Sequence, residues 1–176
     1  MKALILVDIQ NDFLPGGALA VPNGNEIIPI ANRLMQAFEI VIATQDWHPA
    51  NHDSFTTWPP HCIQGTPGAE LAINPAKITA IIQKGTDPAI DSYSGFFDNE
   101  HRKSTDLQKI LKNHNVTELY IMGLATDYCV KFTALDARQL GYPVKLITNG
   151  CRHPNSRMLF ATYSTCSGGC FFAFFL

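Results

Sequence analysis

A carboxylate, an ammonium and a thiol stand close behind three separate apolar runs of this chain, at Asp8, Lys84 and Cys129. Together they have the types that covalent catalysis by sulfur requires: a nucleophile, a base to take its proton and a cation to favour its anion. A thiolate is the reactive form of cysteine, and both a helix N-terminus and a nearby ammonium favour it. Cys129 follows Gly123-Leu124-Ala125 at the start of a periodic segment, with Lys84 as the ammonium and Asp8 as the proton acceptor. A lone cysteine is more often a small apolar core residue. The small residues ahead of this one favour the nucleophile, because they let backbone amides approach a substrate oxygen.

A second constellation is Asp46-Trp47-His48. Residues two apart on an extended segment point to one side, so carboxylate and imidazole can share one ion. His52 or His61 would be the third ligand, and the paired prolines of Trp58-Pro59-Pro60-His61 stiffen the latter. One Asp with two His and open positions suits zinc, iron or manganese. Cys151, Cys166 and Cys170 form no comparable set, since one Cys-x3-Cys without a second pair reads as ordinary thiols.

These groups need elements to hold them. Short apolar runs at 3–7, 40–43, 78–82, 119–122 and 144–147 read as buried strands. Ile27, Ile30, Ala31, Leu34, Met35 and Phe38 recur at helical spacing, with Asn25 placed to cap them and Pro29 tolerated in the first turn. A second helix is predicted over 107–114 after a Ser104 or Thr105 cap, and a third over 127–140, stopping at Gly141. Strands alternating with helices predict an α/β fold, a three-layer α/β/α arrangement around a mostly parallel sheet. In such a sheet ligands bind beyond the carboxyl ends of the strands, where Asp8, Thr44, Asp46, His48, Lys84 and Cys129 all fall. The stretch 45–76, rich in Pro, His, Thr and Gly, is long for a structureless loop and therefore reads as functional.

Composition narrows the class. The 176 residues suffice for one domain, and 46% apolar against 16% charged residues argue against long disorder. Thirteen basic against fifteen acidic residues, a net charge of −2, argue against a nucleic-acid partner. No signal peptide is visible before Asp8, and five sparse cysteines fit reduced thiols in a cytoplasmic protein.

Read together, the motifs resemble the nicotinamidases of the isochorismatase-like hydrolase superfamily. The matching stretches are Leu6-Val7-Asp8-Ile9-Gln10-Asn11-Asp12-Phe13, Gln45-Asp46-Trp47-His48-Pro49-Ala50-Asn51-His52, and Trp58-Pro59-Pro60-His61-Cys62 leading into Gln64-Gly65-Thr66-Pro67-Gly68. Lys84-Gly85, Asp91-Ser92-Tyr93-Ser94-Gly95-Phe96 and Gly123-Leu124-Ala125-Thr126-Asp127-Tyr128-Cys129-Val130 follow in the family's order. The resemblance implies a catalytic triad of Asp8, Lys84 and Cys129, with Asp46, His48 and His61 as ligands of a divalent metal ion. A fourth ligand position falls to His52, Ser54 or water. The resemblance also implies a cis peptide between Leu124 and Ala125, aiming the amides of Ala125 and Cys129 at a carbonyl oxygen. Phe13, Trp58 and Tyr93 would line a pyridine pocket, with Leu14 and Leu124 beside it. The implied reaction is hydrolysis of nicotinamide to nicotinate and ammonia in NAD salvage, with pyrazinamide as a second substrate. The rivals are a superfamily amidase acting on another small amide and a non-catalytic ligand-binding member. A homo-oligomer is compatible with all of these.

The resemblance runs to about Arg152, dividing the chain into a hydrolase portion, 1–152, and an atypical apolar segment, 153–176. The last 19 residues carry no charge and approach the length of a bilayer span, but Thr162, Ser164, Thr165, Ser167, Gly168 and Gly169 interrupt them, so no membrane association is expected. Neither a charged helix nor a clear strand is legible there. The expectation is a domain without its usual final helix and strand, with a sheet edge less covered and aggregation through the phenylalanines at 171–175.

Overall fold

A computed structural model describes residues 1–154 and the backbone of residues 172–174. Six strands form one sheet: β1 (Lys2–Val7), β2 (Ile40–Asp46), β3 (Ala80–Lys84), β4 (Glu118–Leu124), β5 (Val144–Arg152) and β6 (Phe172–Phe174). All pairings are parallel, in the order β3-β2-β1-β4-β5-β6. The chain builds outward from β1 in one direction and then from β4 in the other, so the order reverses between these two strands. Right-handed crossovers then put α1 (Ile28–Leu34) on one face and α2 (Leu107–Asn113) with α3 (Lys131–Gln139) on the other. This is the predicted α/β/α layering.

The strands are apolar because both faces are covered. Ala3, Leu4, Ile5, Leu6 and Val7 are wholly buried, as are Ile42, Leu119 and Ile121. The strands also run further than their apolar residues. β2 continues through Thr44 and Gln45 to Asp46, and β3 ends on Lys84, each still paired with its neighbour. Hydropathy alone ends a strand at its first polar residue, although a buried polar residue with partners keeps its place in the ladder.

The helices are shorter than predicted. The first periodic segment divides into a 3₁₀ turn (Gly24–Ile27), α1 and a second 3₁₀ turn (Met35–Ala37). Asn25 lies inside the first turn, and α1 has no side-chain cap. The N-cap of α2 is Asp106, one residue past the expected Ser104 or Thr105, and its side chain makes no capping bond; Thr105 Oγ1 nevertheless accepts the Leu107 amide at 3.1 Å. The predicted third helix begins as a π turn (Thr126–Val130) with Tyr128 at φ −117°, ψ −105°, and becomes regular only in α3.

The tail corrects one expectation. Residues 172–174 form β6, in register with Lys145, Leu146 and Ile147 of β5. A charge-free aromatic run has strong strand propensity, and β5 offers an open edge. The fate of the missing helix and the expected aggregation fall on side chains and residues outside the described ones. Among the described residues no helix is long and apolar enough to cross a membrane.

Candidate active site

The site lies where the strand order reverses, at the carboxyl ends of β1, β2, β3 and β4, the usual place for a ligand in an open parallel sheet. Asp8 follows β1 directly, with a left-handed φ of 48°. Asp46 and Lys84 are the last residues of β2 and β3 and lie opposite each other in the ladder. Cys129 sits in the π turn after β4. Gly123 makes that approach of β4 to β1 feasible, since a Cβ there would stand 2.0 Å from the Val7 carbonyl oxygen.

Lys84 joins these groups. Its Nζ lies 2.5 Å from Asp46 Oδ1, 2.7 Å from the Ser92 carbonyl oxygen, 3.5 Å from Cys129 Sγ and 3.0 Å from Asp8 Oδ2. The side chain is buried, so its charge depends on these partners. Burial works against the ammonium, but Asp46, Asp8 and Cys129 outweigh it and hold the Lys84 pKa well above its ordinary value. Burial raises the pKa of Asp8, opposed by Lys84 and by the Thr44 hydrogen bond and aided by Asp46. Asp46 is raised for the same reason, burial, with Lys84 again opposing.

Cys129 departs from its sequence-based expectation. Burial pushes its thiol well above the ordinary value; Lys84 pulls the other way, while Asp8 and Asp46 add to the rise. The π turn supplies no regular helix start to offset this. A thiol held up in this way needs a base before it can act as a nucleophile. Asp8 and Cys129 bring an oxygen and the sulfur within 4.8 Å of each other.

Beside this group Asp46, His48 and His61 bring one ligand atom each within 4.8 Å of one another. His48 Nδ1 pairs with the Gly85 carbonyl oxygen at 2.8 Å, leaving Nε2 buried without a hydrogen-bond partner. His61 Nδ1 pairs with the Pro59 carbonyl oxygen at 2.8 Å. Each Nδ1 thus donates to a carbonyl oxygen, which turns the opposite nitrogen of the ring away from it, the orientation in which an imidazole ligates a metal. Burial lowers the His48 pKa to about 4, keeping that ring neutral. An orphaned buried nitrogen next to a carboxylate and a second oriented imidazole fits a divalent ion.

His52 and Ser54 are arranged differently. His52 Nδ1 accepts the Ser54 amide at 3.2 Å and lies 2.6 Å from Ser54 Oγ, so the two side chains close on each other. His52 groups with His48 and Asp91 rather than with Asp46 and His61. Among the aromatic residues, Phe13 lies 5.6 Å from the His61 ring, and Trp58 and Tyr93 flank Tyr128 at 5.3 Å and 5.7 Å. Leu14 and Leu124 converge on Gly24, their methyl groups 3.5 Å and 3.4 Å from where its Cβ would be. The Leu124–Ala125 peptide is cis.

Several contributors escaped the sequence reading. Gln10 fixes Asp46 from both sides, accepting its amide and donating to its carbonyl oxygen, each at 2.8 Å. Thr44, set at the ligand edge by the sequence but given no role there, hydrogen-bonds Asp8, and the Ser92 carbonyl holds Lys84. Tyr128 completes the aromatic cluster. Gln10 and Tyr128 stand within the quoted motifs and were open to recognition; a backbone carbonyl such as that of Ser92 leaves no signal in a sequence.

The chain is similar to known proteins along most of its length. The isochorismatase domain profile matches residues 2–164, past the Arg152 limit read from the motifs. The nicotinamidase of Escherichia coli is 50% identical over 179 residues, covering 88% of this chain and 84% of that protein. A nicotinamidase/pyrazinamidase structure from Acinetobacter baumanii superposes with a TM-score of 0.85 at 40% identity, covering 89% of this chain and 86% of that one. A pyrazinamidase of Pyrococcus horikoshii in complex with zinc gives 0.81 at 45% identity, with 88% of each chain covered. With the sheet order, the reversal-point site and these likenesses in agreement, the chain belongs to the isochorismatase domain family.

Proposed function

We propose that this chain is a metal-dependent cysteine amidohydrolase that converts nicotinamide to nicotinate and ammonia in NAD salvage and also hydrolyses pyrazinamide. The observation that carries the reading is the buried chain Asp8–Lys84–Cys129, set directly against Asp46, His48 and His61. The names of the relatives from Escherichia coli, Acinetobacter baumanii and Pyrococcus horikoshii support this substrate class.

In this reading Asp8 takes the proton of Cys129, and the sulfur attacks the carboxamide carbon. The amides of Ala125 and Cys129 hold the resulting oxyanion, and Lys84 steadies the charges on Asp8 and sulfur. Asp8 then gives its proton to the leaving nitrogen, and the C–N bond breaks with release of ammonia. Water attacks the thioester carbon while Asp8 removes its proton; the C–S bond breaks, Asp8 returns that proton to the sulfur to restore Cys129, and the product leaves as nicotinate. Phe13, Trp58 and Tyr93, with Leu14 and Leu124, form the proposed walls around the pyridine ring, which fixes the amide for attack. Asp46, His48 and His61 would hold zinc, iron or manganese, with His52 or Ser54 near the fourth position; bound there, the ion supplies a Lewis acid for an electron-pair donor of the substrate. The buried thiols of Cys62, Cys129 and Cys151 support a reducing, cytoplasmic setting.

Ammonia release from nicotinamide, pyrazinamide and a carbamoyl compound, before and after chelation and metal add-back, tests the reading. Nicotinamide and pyrazinamide should turn over only with metal. Turnover of the carbamoyl compound alone would move the chain to another amidase class, and none at all would favour a ligand-binding protein.

A further inference from the structure

The two oxygens of Asp8 are not equivalent. Oδ1 accepts the Thr44 hydroxyl at 2.6 Å, and the same hydroxyl oxygen accepts the Asp8 amide at 3.2 Å. Both residues are wholly buried. The hydroxyl thus bridges the carboxylate and the backbone of one residue, and its proton has a fixed direction. Oδ2 takes no hydroxyl or amide hydrogen bond and lies 3.0 Å from Lys84 Nζ. An ammonium has three N–H groups, and those of Lys84 are directed at Asp46, the Ser92 carbonyl and Cys129. Oδ2 therefore feels the charge of Lys84 while keeping a free lone pair.

Thr44 is itself held. A Cβ on Gly95 would stand 2.8 Å from the Thr44 methyl, so the bare glycine is what seats that methyl. Gly95 is fixed in turn by its amide, which donates to Thr133 Oγ1 of α3 at 2.9 Å, and by its carbonyl oxygen, which accepts Thr105 Oγ1 at 2.6 Å.

We infer that Thr44 is a positioning residue for proton transfer, occupying Asp8 Oδ1 so that Oδ2 receives the proton of Cys129. The S–H bond breaks, its electron pair stays on sulfur, and an O–H bond forms at Oδ2; the same proton later passes to the leaving nitrogen. Thr44 touches neither sulfur nor substrate in this scheme and acts only through Asp8. The inference rests on the amidase reading and adds the atom at which the base works.

The test is the steady-state and first-turnover kinetics of Thr44→Val and Thr44→Ser in the metal-loaded enzyme. Valine keeps the methyl against Gly95 and removes the hydroxyl, whereas serine does the reverse. Thr44→Val should lower kcat and first-turnover ammonia release about 10- to 100-fold, the range of one hydrogen bond to a charged group, with KM within about twofold. Thr44→Ser should restore kcat to within about threefold of the parent. A Thr44→Val enzyme with parental kcat overturns the inference, as does a serine variant as slow as the valine one. If the valine variant does not fold, Thr44→Ala against Thr44→Ser isolates the hydroxyl, both lacking the methyl; equal kcat values would again overturn it. Failure of the parent on nicotinamide would count against the amidase reading alone, because the ratios can be measured on whichever amide the enzyme does hydrolyse.

Discussion

Lys84 Nζ lies 3.5 Å from Cys129 Sγ, yet burial holds the thiol's pKa well above its ordinary value despite this cation. One ammonium is shared among Asp8, Asp46 and Cys129, and burial raises the pKa of all three acids. Lys84 is thus less an activator of Cys129 than the charge that lets two buried carboxylates coexist next to it.

Replacing that charge should therefore damage stability and turnover together. Lys84→Met leaves Asp8 and Asp46 buried with no cation between them, and loss of one partner from a buried pair typically costs about 3–5 kcal/mol. Thermal denaturation should show a clear drop in Tm, and ammonia release should fall below about a thousandth of the parental rate. A variant that melts like the parent would mean that the carboxylates do not depend on Lys84.

Asp8→Asn separates two roles that a single activity assay merges. Turnover should fall roughly 10²- to 10⁴-fold, the usual range for a lost general base. The reactivity of the thiol should move the other way. The negative charge of Asp8 raises the Cys129 pKa, so removing it lowers that pKa and enlarges the thiolate fraction at any given pH below it. Alkylation of Cys129 by iodoacetamide, followed by mass spectrometry against pH, should speed up at neutral pH. Slower alkylation in the asparagine variant would show that Asp8 draws the proton even without substrate.

Much of this site was legible because its residues terminate strands. Asp8, Asp46 and Lys84 each stand within three residues of the end of an apolar run, and a parallel sheet brings such ends to one edge whatever their separation in sequence. What stayed hidden has physical causes. Hydropathy stops β2 before Thr44, so the sequence sets Thr44 at the ligand edge without showing that its hydroxyl meets Asp8 from 36 positions away. The Cys129 environment was misjudged because helical periodicity beyond Val130 extends smoothly backward on paper, while the backbone at Tyr128 is not helical. The strand at 172–174 went unread because no polar alternation frames it, although its aromatic run pairs with β5.

Tyr128 should govern substrate affinity more than rate. Its ring meets Trp58 and Tyr93 edge-on, and such pairs contribute about 0.5–1.5 kcal/mol beyond their burial. Tyr128→Ala should raise KM for nicotinamide roughly threefold to tenfold with a smaller change in kcat, and Tyr128→Phe should stay near the parent. Equal KM and kcat losses in the alanine variant would instead tie Tyr128 to the placement of Cys129.

The metal group depends on a glycine that does not ligate. Gly85 has φ +60°, and a Cβ on it would stand 2.4 Å from His48 Cε1 and 2.6 Å from Nδ1. Its carbonyl oxygen also holds that Nδ1 at 2.8 Å, which fixes the tautomer leaving Nε2 free. Gly85→Ala therefore displaces the ring and loosens the bond that orients it, and losses of this kind typically weaken metal binding about 10- to 100-fold. Competition with a chromogenic chelator should show that loss for zinc, whereas His61→Asn, which removes a proposed ligand outright, should lose more. Because the readout is metal affinity, it does not depend on which amide is hydrolysed. Parental zinc affinity in Gly85→Ala, alongside lost affinity in His61→Asn, would mean that His48 keeps its orientation without this backbone seat.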